Sequence, residues 1–273
     1  MHANRVLYES SQNKTRVFIS HTRFYRDMSR VTRSAENIKT IAFPRTVRKV
    51  STYAFRKTVA LSVVLNEGLE TLGECRNDRR VGIFYDTSLR LVKLPSTLRV
   101  LGDGTFANCK ALRNVTFEKG SQLKNIGECA FADCYNLRRI TLPEGLATVG
   151  FYAFESSGLE EIMLPGTLKK TMWDIFYGCA RLKTVYVQDG CSMDLYLTRI
   201  PSSARVGPLP DTLVGGIRVW DLREQRDVII PEGIERIGNR WFWGSKVESV
   251  MVPASVREIG MDAFRNCGSL RCV

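Results

Sequence analysis

The stretch ECAFADCYNLRRITLPEG, residues 128 to 145, sets two cysteines five apart around Phe131 and follows them with an apolar run. It reads either as a metal or redox site or as one unit of a larger wall. Its second half decides. In LRRITLP, residues 137 to 143, Ile140 and Leu142 alternate with Arg139 and Thr141, the period-two pattern of a strand with one buried side. Pro143 cannot donate to a strand ladder and ends the strand. Leu146 and Val149 then turn a second apolar edge inward, and Gly150 supplies a residue able to take positive φ at the next corner. Ala153 and Phe154 close the unit, the ring filling its broad end.

The same phrase returns along the chain. LRLVKLPSTLRVLGDGTFANCKA from Leu89, LRRITLPEGLATVGFYAFESSG from Leu137 and VESVMVPASVREIGMDAFRNCGS from Val247 share the strand, the Pro, the apolar pair, the Gly and the Phe with Cys or Ser three further on. Copies starting at Leu89, Leu112, Leu137, Leu159 and Leu182 stand 23, 25, 22 and 23 residues apart, and an earlier copy begins near Ile38. One unit cannot cover its own apolar face, whereas stacked units cover one another, so the repeat predicts a quasi-one-dimensional solenoid with a parallel sheet along one side. About nine coils at a strand spacing of ~4.8 Å give a sheet roughly 40 Å wide.

These residues resemble the BspA-like, or Treponema-type, leucine-rich repeat, with its apolar-x-x-apolar-x-apolar-Pro, apolar-Gly and Ala-Phe-x-x-Cys elements. The resemblance implies an α/β leucine-rich-repeat solenoid with one short parallel strand per coil. It also implies a surface antigen, adhesin or protein-binding scaffold, with no catalytic residues to carry across and no cofactor. It divides the chain into a basic segment or decayed first coil at 1–36, repeats at 37–187, an irregular insertion or degenerate repeat at 188–217, and further repeats at 218–273. The final SLRCV begins a strand without the polar cap that a terminal coil needs. That ending reads as a fragment, a truncated gene model or an edge covered by another chain.

The cysteines follow the repeat. Phe106 precedes Cys109, Phe131 precedes Cys134, Phe176 precedes Cys179 and Phe264 precedes Cys267, always by three, and Ser157 takes the same place after Phe154. This is a core column of small side chains, with the thiols expected reduced. A metal site needs ligands converging on one point, yet Cys129 occurs in a single repeat and the histidines, His2 and His21, lie outside the repeats.

Charge and motifs bound the function. The net charge is +12, but residues 1 to 62 hold 13 Lys and Arg against 3 acidic residues, so the excess is N-terminal. A basic arm of this kind supports an alternative reading, nucleic-acid or anionic-surface binding through the first 62 residues. No apolar run reaches the roughly 18 residues of a membrane span. The opening MHANRVLYESSQNKTRVFIS lacks the apolar core of a secretory signal. That points inside the cell, while the resemblance points to its surface. No P-loop, G-x-G-x-x-G or G-x-S-x-G motif appears, and Glu160 and Glu161 are neighbours in a strand whose side chains face opposite ways, so an enzyme is not expected.

Binding is better served. Outward strand positions form columns, one running through Leu91, Asn114, Arg139, Glu161 and Thr184, the next through Lys93, Thr116, Thr141, Met163, Tyr186 and Met251. Mixed and partly apolar columns suit a protein or peptide partner better than a phosphate backbone. Before the strand stand Arg90, Arg113, Arg138, Glu160 and Lys183, a rim whose adjacent arginines repel by about 1 kcal/mol in water. Either Glu160 and solvent relieve that repulsion or an acidic partner does. A second candidate patch is NRWFWGS, residues 239 to 245: Trp241 stands where Ala is usual and reads as core, while Trp173 and Trp243 fall at variable positions and read equally as core or surface anchor.

Overall fold

Alternation builds the front strand of each coil. Leu91–Leu94 runs exposed, buried, exposed, buried, and Asn114–Phe117, Glu161–Leu164 and Thr184–Val187 keep the phase, sending Val92, Val115, Ile162 and Val185 inward. The computed structural model describes residues 6–11, 14–19, 38–43, 45–50, 54–58, 60–74, 81–191, 198–214 and 216–273. Across them the expected solenoid of about nine coils is present, each coil contributing the expected parallel strand to one front face.

The second apolar edge proves to be a strand too. Lys49–Val50, Thr71–Leu72, Val100–Leu101, Asn125–Ile126, Thr148–Val149 and Lys170–Thr171 form a second six-stranded parallel sheet. The chain between these sheets runs in turns, and the only helix among the described residues is the single turn Val219–Leu222.

Two columns hold coil to coil. Phe55, Phe84, Phe106, Phe131, Phe154 and Phe176 stack with ring centroids 5.5 to 6.0 Å apart and planes within 20°. Beside them the column cysteines bond back to the preceding coil: the Cys109 thiol donates to the Phe84 carbonyl at 3.0 Å, Cys134 to Phe106 at 3.2 Å, and Cys179 to Phe154 at 3.0 Å. The column is therefore a hydrogen-bonding one, in which a small donor satisfies a carbonyl that burial would otherwise strand. All three thiols are free, and burial pushes each above its ordinary value, Cys109 to about 11.

Gly150 corrects the sequence reading. Its φ is not positive; the left-handed positions of that coil are Gly145 and, two residues either side of Phe154, Tyr152 and Ser156. Glycine is needed there because coils nearly touch. A Cβ on Gly102, Gly127 or Gly150 would lie 2.5 to 2.6 Å from the backbone nitrogen of Glu74, Asp103 or Glu128 in the preceding coil.

At the N-terminal end, Lys14–Ile19 pairs parallel with Ile38–Ala42, and Val6–Ser11 adds outside it antiparallel, so part of the first 36 residues extends the front sheet. At the other end, Arg205–Gly207 still pairs with Thr184–Val187. The chain then leaves the stack through an antiparallel hairpin, Leu213–Val214 with Ile217–Arg218, before Asp227–Ile229 and Ser249–Met251 resume it. The core divides at that excursion, one cluster running from Ile41 to Val206 and another from Val214 to Ala263. Arg240, fully buried, bridges them by donating to the Cys191 carbonyl at 3.0 Å.

Candidate functional site on the front face

The front face is set by backbone register. Parallel pairing places Leu91 beside Asn114, Arg139 beside Glu161 and Glu161 beside Thr184, so outward side chains of paired coils line up in columns. Their charges are largely paired from coil to coil. Glu160 meets Arg138 at 3.0 Å and Lys183 at 3.7 Å, and Glu161 meets Arg139 at 3.2 Å. Arg90 and Arg113 differ. They are exposed on adjacent coils, the Arg113 amide donating to the Arg90 carbonyl, and among the described residues neither meets a carboxylate.

Apolar side chains gather beside that pair. Leu61, Val64 and Leu91 are 40%, 49% and 56% exposed, with Ser62 and Leu91 in register. Sequence reading missed Leu61 and Val64 because Asn66 stands where the repeat has Pro; the alternation in SVV was the available signal. Next to them lies a hollow of about 630 Å³ lined by Val64, Leu65, Glu67, Lys93 and Pro95, where Lys93 pairs with Glu118.

Coil length shapes this face. The front ladder is reduced to one register pair between Ser62–Val64 and Leu91–Leu94, and it is absent between Asn114–Phe117 and Arg139–Thr141. Those are the two steps lengthened by extra residues, 29 and 25 between partner positions against 23 from Leu91 to Asn114. The second gap opens a hollow of about 500 Å³ over Val115 and Ile140.

The remaining expected site residues scatter. Met163 is half-buried in the sheet. Tyr186 meets the Trp220 ring edge-on at 5.8 Å, so the excursion packs over this end of the face, and burial, then the nearby Glu161, raises its phenol above the ordinary value. Met251, 66% exposed, belongs to the second cluster's front. Trp243 lies on the turn side instead, half-buried with the Arg265 guanidinium over its ring. Trp241 is buried as expected, and Trp173 is 62% exposed. Phe106, Cys109, Phe131, Cys134, Phe154, Phe176 and Cys179 are core, whereas Phe264 and Cys267 are only half-buried, because no complete coil lies over them. His2 and His21 fall outside the described residues. Among the described residues no three His, Cys, Asp or Glu side chains cluster as metal ligands, and no helix is long and apolar enough to cross a membrane.

The BspA type leucine rich repeat region matches in six copies, over residues 29–76, 80–195 and 221–273. Among solved structures the chain is similar to the pneumococcal vaccine antigen PcpA, at 16% identity and a TM-score of 0.45, covering 100% of this chain and 69% of that one. It is similar to a leucine-rich repeat protein from Eubacterium ventriosum, at 17% identity and 0.47, covering 94% and 66%. A third is the T. pallidum leucine rich repeat protein, at 19% identity and 0.40, covering 97% and 88%. No curated protein matches the chain.

Proposed function

We propose that this chain, which belongs to the BspA type leucine-rich repeat family, is a non-catalytic scaffold that captures a protein or peptide on the outward face of its front sheet. The observation that carries the reading is the pair Arg90 and Arg113, adjacent cations without a carboxylate among the described residues, set against exposed Leu61, Val64 and Leu91. Elsewhere on the same rim Glu160 relieves the repulsion within the chain. At Arg90 and Arg113 an acidic partner would do so, and the neighbouring apolar side chains supply the dehydrated centre that hot spots need. The partner is thus a protein surface or extended segment presenting carboxylates beside an apolar anchor.

The test is affinity capture with the intact chain, followed by Arg90→Glu with Arg113→Glu and, separately, Leu91→Asp. Both are expected to cut retention of the captured partner at least tenfold while leaving thermal unfolding unchanged. Retention that is untouched by both variants removes this face as the binding surface. Captured material that is RNA or DNA, lost on raising salt, supports instead the basic first 62 residues.

A further inference from the structure

The turn side of the molecule holds a second concave surface, away from the front face. Where the excursion separates the two core clusters, a cleft of about 690 Å³ opens between Trp173 and Trp243, with Ile200, Pro201, Ser202 and Asn266 on its walls. A cleft of this size matches one small ligand or the end of a chain-like one.

Three features set it apart. Trp173, the most exposed tryptophan, is 62% open to solvent and rests edge-on against Phe151 at 6.5 Å, which leaves an indole standing in the cleft without a packing role that explains its exposure. Asp174 and Arg199 form an ion pair at 2.9 Å along the same wall, so the lining carries one acid and one base that neutralise each other. Asp174, Arg199 and Asn266 all hold positive φ at corner positions of the repeat, Arg199 standing before Arg205 as Gly178 stands before Thr184, so the coil geometry itself fixes where these planar polar side chains leave the backbone around the cleft.

We infer that this cleft binds a neutral saccharide. A flat indole suits the C–H face of a pyranose ring, whose hydroxyls need planar, forked partners at the ring edge, and Asp174, Arg199 and Asn266 supply them. The paired charges argue against phosphate or sulfate, which would call for an excess of cations. The site is separate from the front face and does not depend on the function proposed for it.

The experiment uses the full chain against neutral hexose oligomers of gluco, galacto and manno configuration, with decaproline as the competing aromatic-groove ligand, read by calorimetry and by saturation transfer to the sugar protons. At least one hexose series is expected to bind, Trp173→Ala to weaken it tenfold or more, and Trp173→Tyr to restore part of the loss. Arg199→Gly should weaken binding fivefold or more while raising the melting temperature, because it removes the guanidinium and relieves the backbone together. Absence of binding by every hexose series at millimolar concentration, binding indifferent to Trp173→Ala, or capture of decaproline in their place overturns the inference.

Discussion

Two stretches with nearly the same spelling behave differently. AFADC at 130–134 and AFRNC at 263–267 share local geometry: Asp133 and Asn266 take positive φ at 57° and 59°, and each Cys donates to the Phe carbonyl one coil back. Phe131, however, lies between Phe106 and Phe154 and is fully buried, whereas Phe264 stacks on Phe242 alone, at 5.2 Å, and is half-exposed. Local conformation belongs to the word, and burial belongs to its neighbours. In a solenoid the stability of any coil is thus shared with the coils beside it.

The largest expected effect breaks that comparison directly. Phe131→Ala should cost about 3 to 5 kcal/mol, as for a fully buried aromatic, and Phe264→Ala only about 1 to 2, both measured by urea unfolding. Equal costs would mean that coil coverage is not what stabilises the motif.

Next comes the bridge between the two clusters. Arg240 has no exposed side-chain surface; it donates to the Cys191 carbonyl and lies 3.7 Å from Asp262, which Arg265 also reaches at 3.2 Å. Nearby, Arg223 stacks on Trp220 at 4.3 Å and donates to the Trp241 and Trp243 carbonyls. Arg240→Met should cost about 3 kcal/mol, since it leaves the buried Cys191 carbonyl without this donor and Asp262 with Arg265 in place of two cations. Unfolding should then split into two transitions, the 214–270 region melting first in hydrogen exchange. A single shared transition would show that the clusters are coupled by packing rather than by the guanidinium.

A smaller effect tests the cysteine column. Cys134→Ala removes the donor to the Phe106 carbonyl and should cost about 1 to 2 kcal/mol, while Cys134→Ser should cost less, because a hydroxyl can donate in its place and hydroxyls at Ser157 and Thr87 already sit in the same column, each against the thiol of the next coil. The reverse order would mean that the position is valued for apolarity alone.

The last effect is in pH and vanishes at neutral pH. Burial raises the Cys109 thiol from about 9 to about 11, so the unfolded chain releases that proton first. The stability this contributes is whole below pH 9 and is lost as pH climbs through 11. Thiol labelling at neutral pH should accordingly modify exposed Cys272 first, half-buried Cys267 next, and Cys109, Cys134 and Cys179 only on unfolding.

The solenoid was legible from one coil and its echoes, since alternation at Ile140 and Leu142, a stop at Pro143 and a ring at Phe154 are each consequences of local chemistry. So was the cysteine column, because the spacing of Cys109, Cys134 and Cys179 tracks the repeat. What stayed hidden depended on contact between coils. Gly150 read as a flexible corner, yet it is a close approach to Glu128 that no single coil contains. Tyr186 read as a free anchor, yet a segment more than thirty residues later packs Trp220 against it. Arg90 and Arg138 read alike, and only the register that delivers Glu160 to Arg138 and, among the described residues, no carboxylate to Arg90 tells them apart. Sequence by itself determined the unit and the order of stacking, because both follow from short-range backbone and burial rules. The tertiary structure decided which outward side chains stay open, because exposure is what remains after distant residues have met.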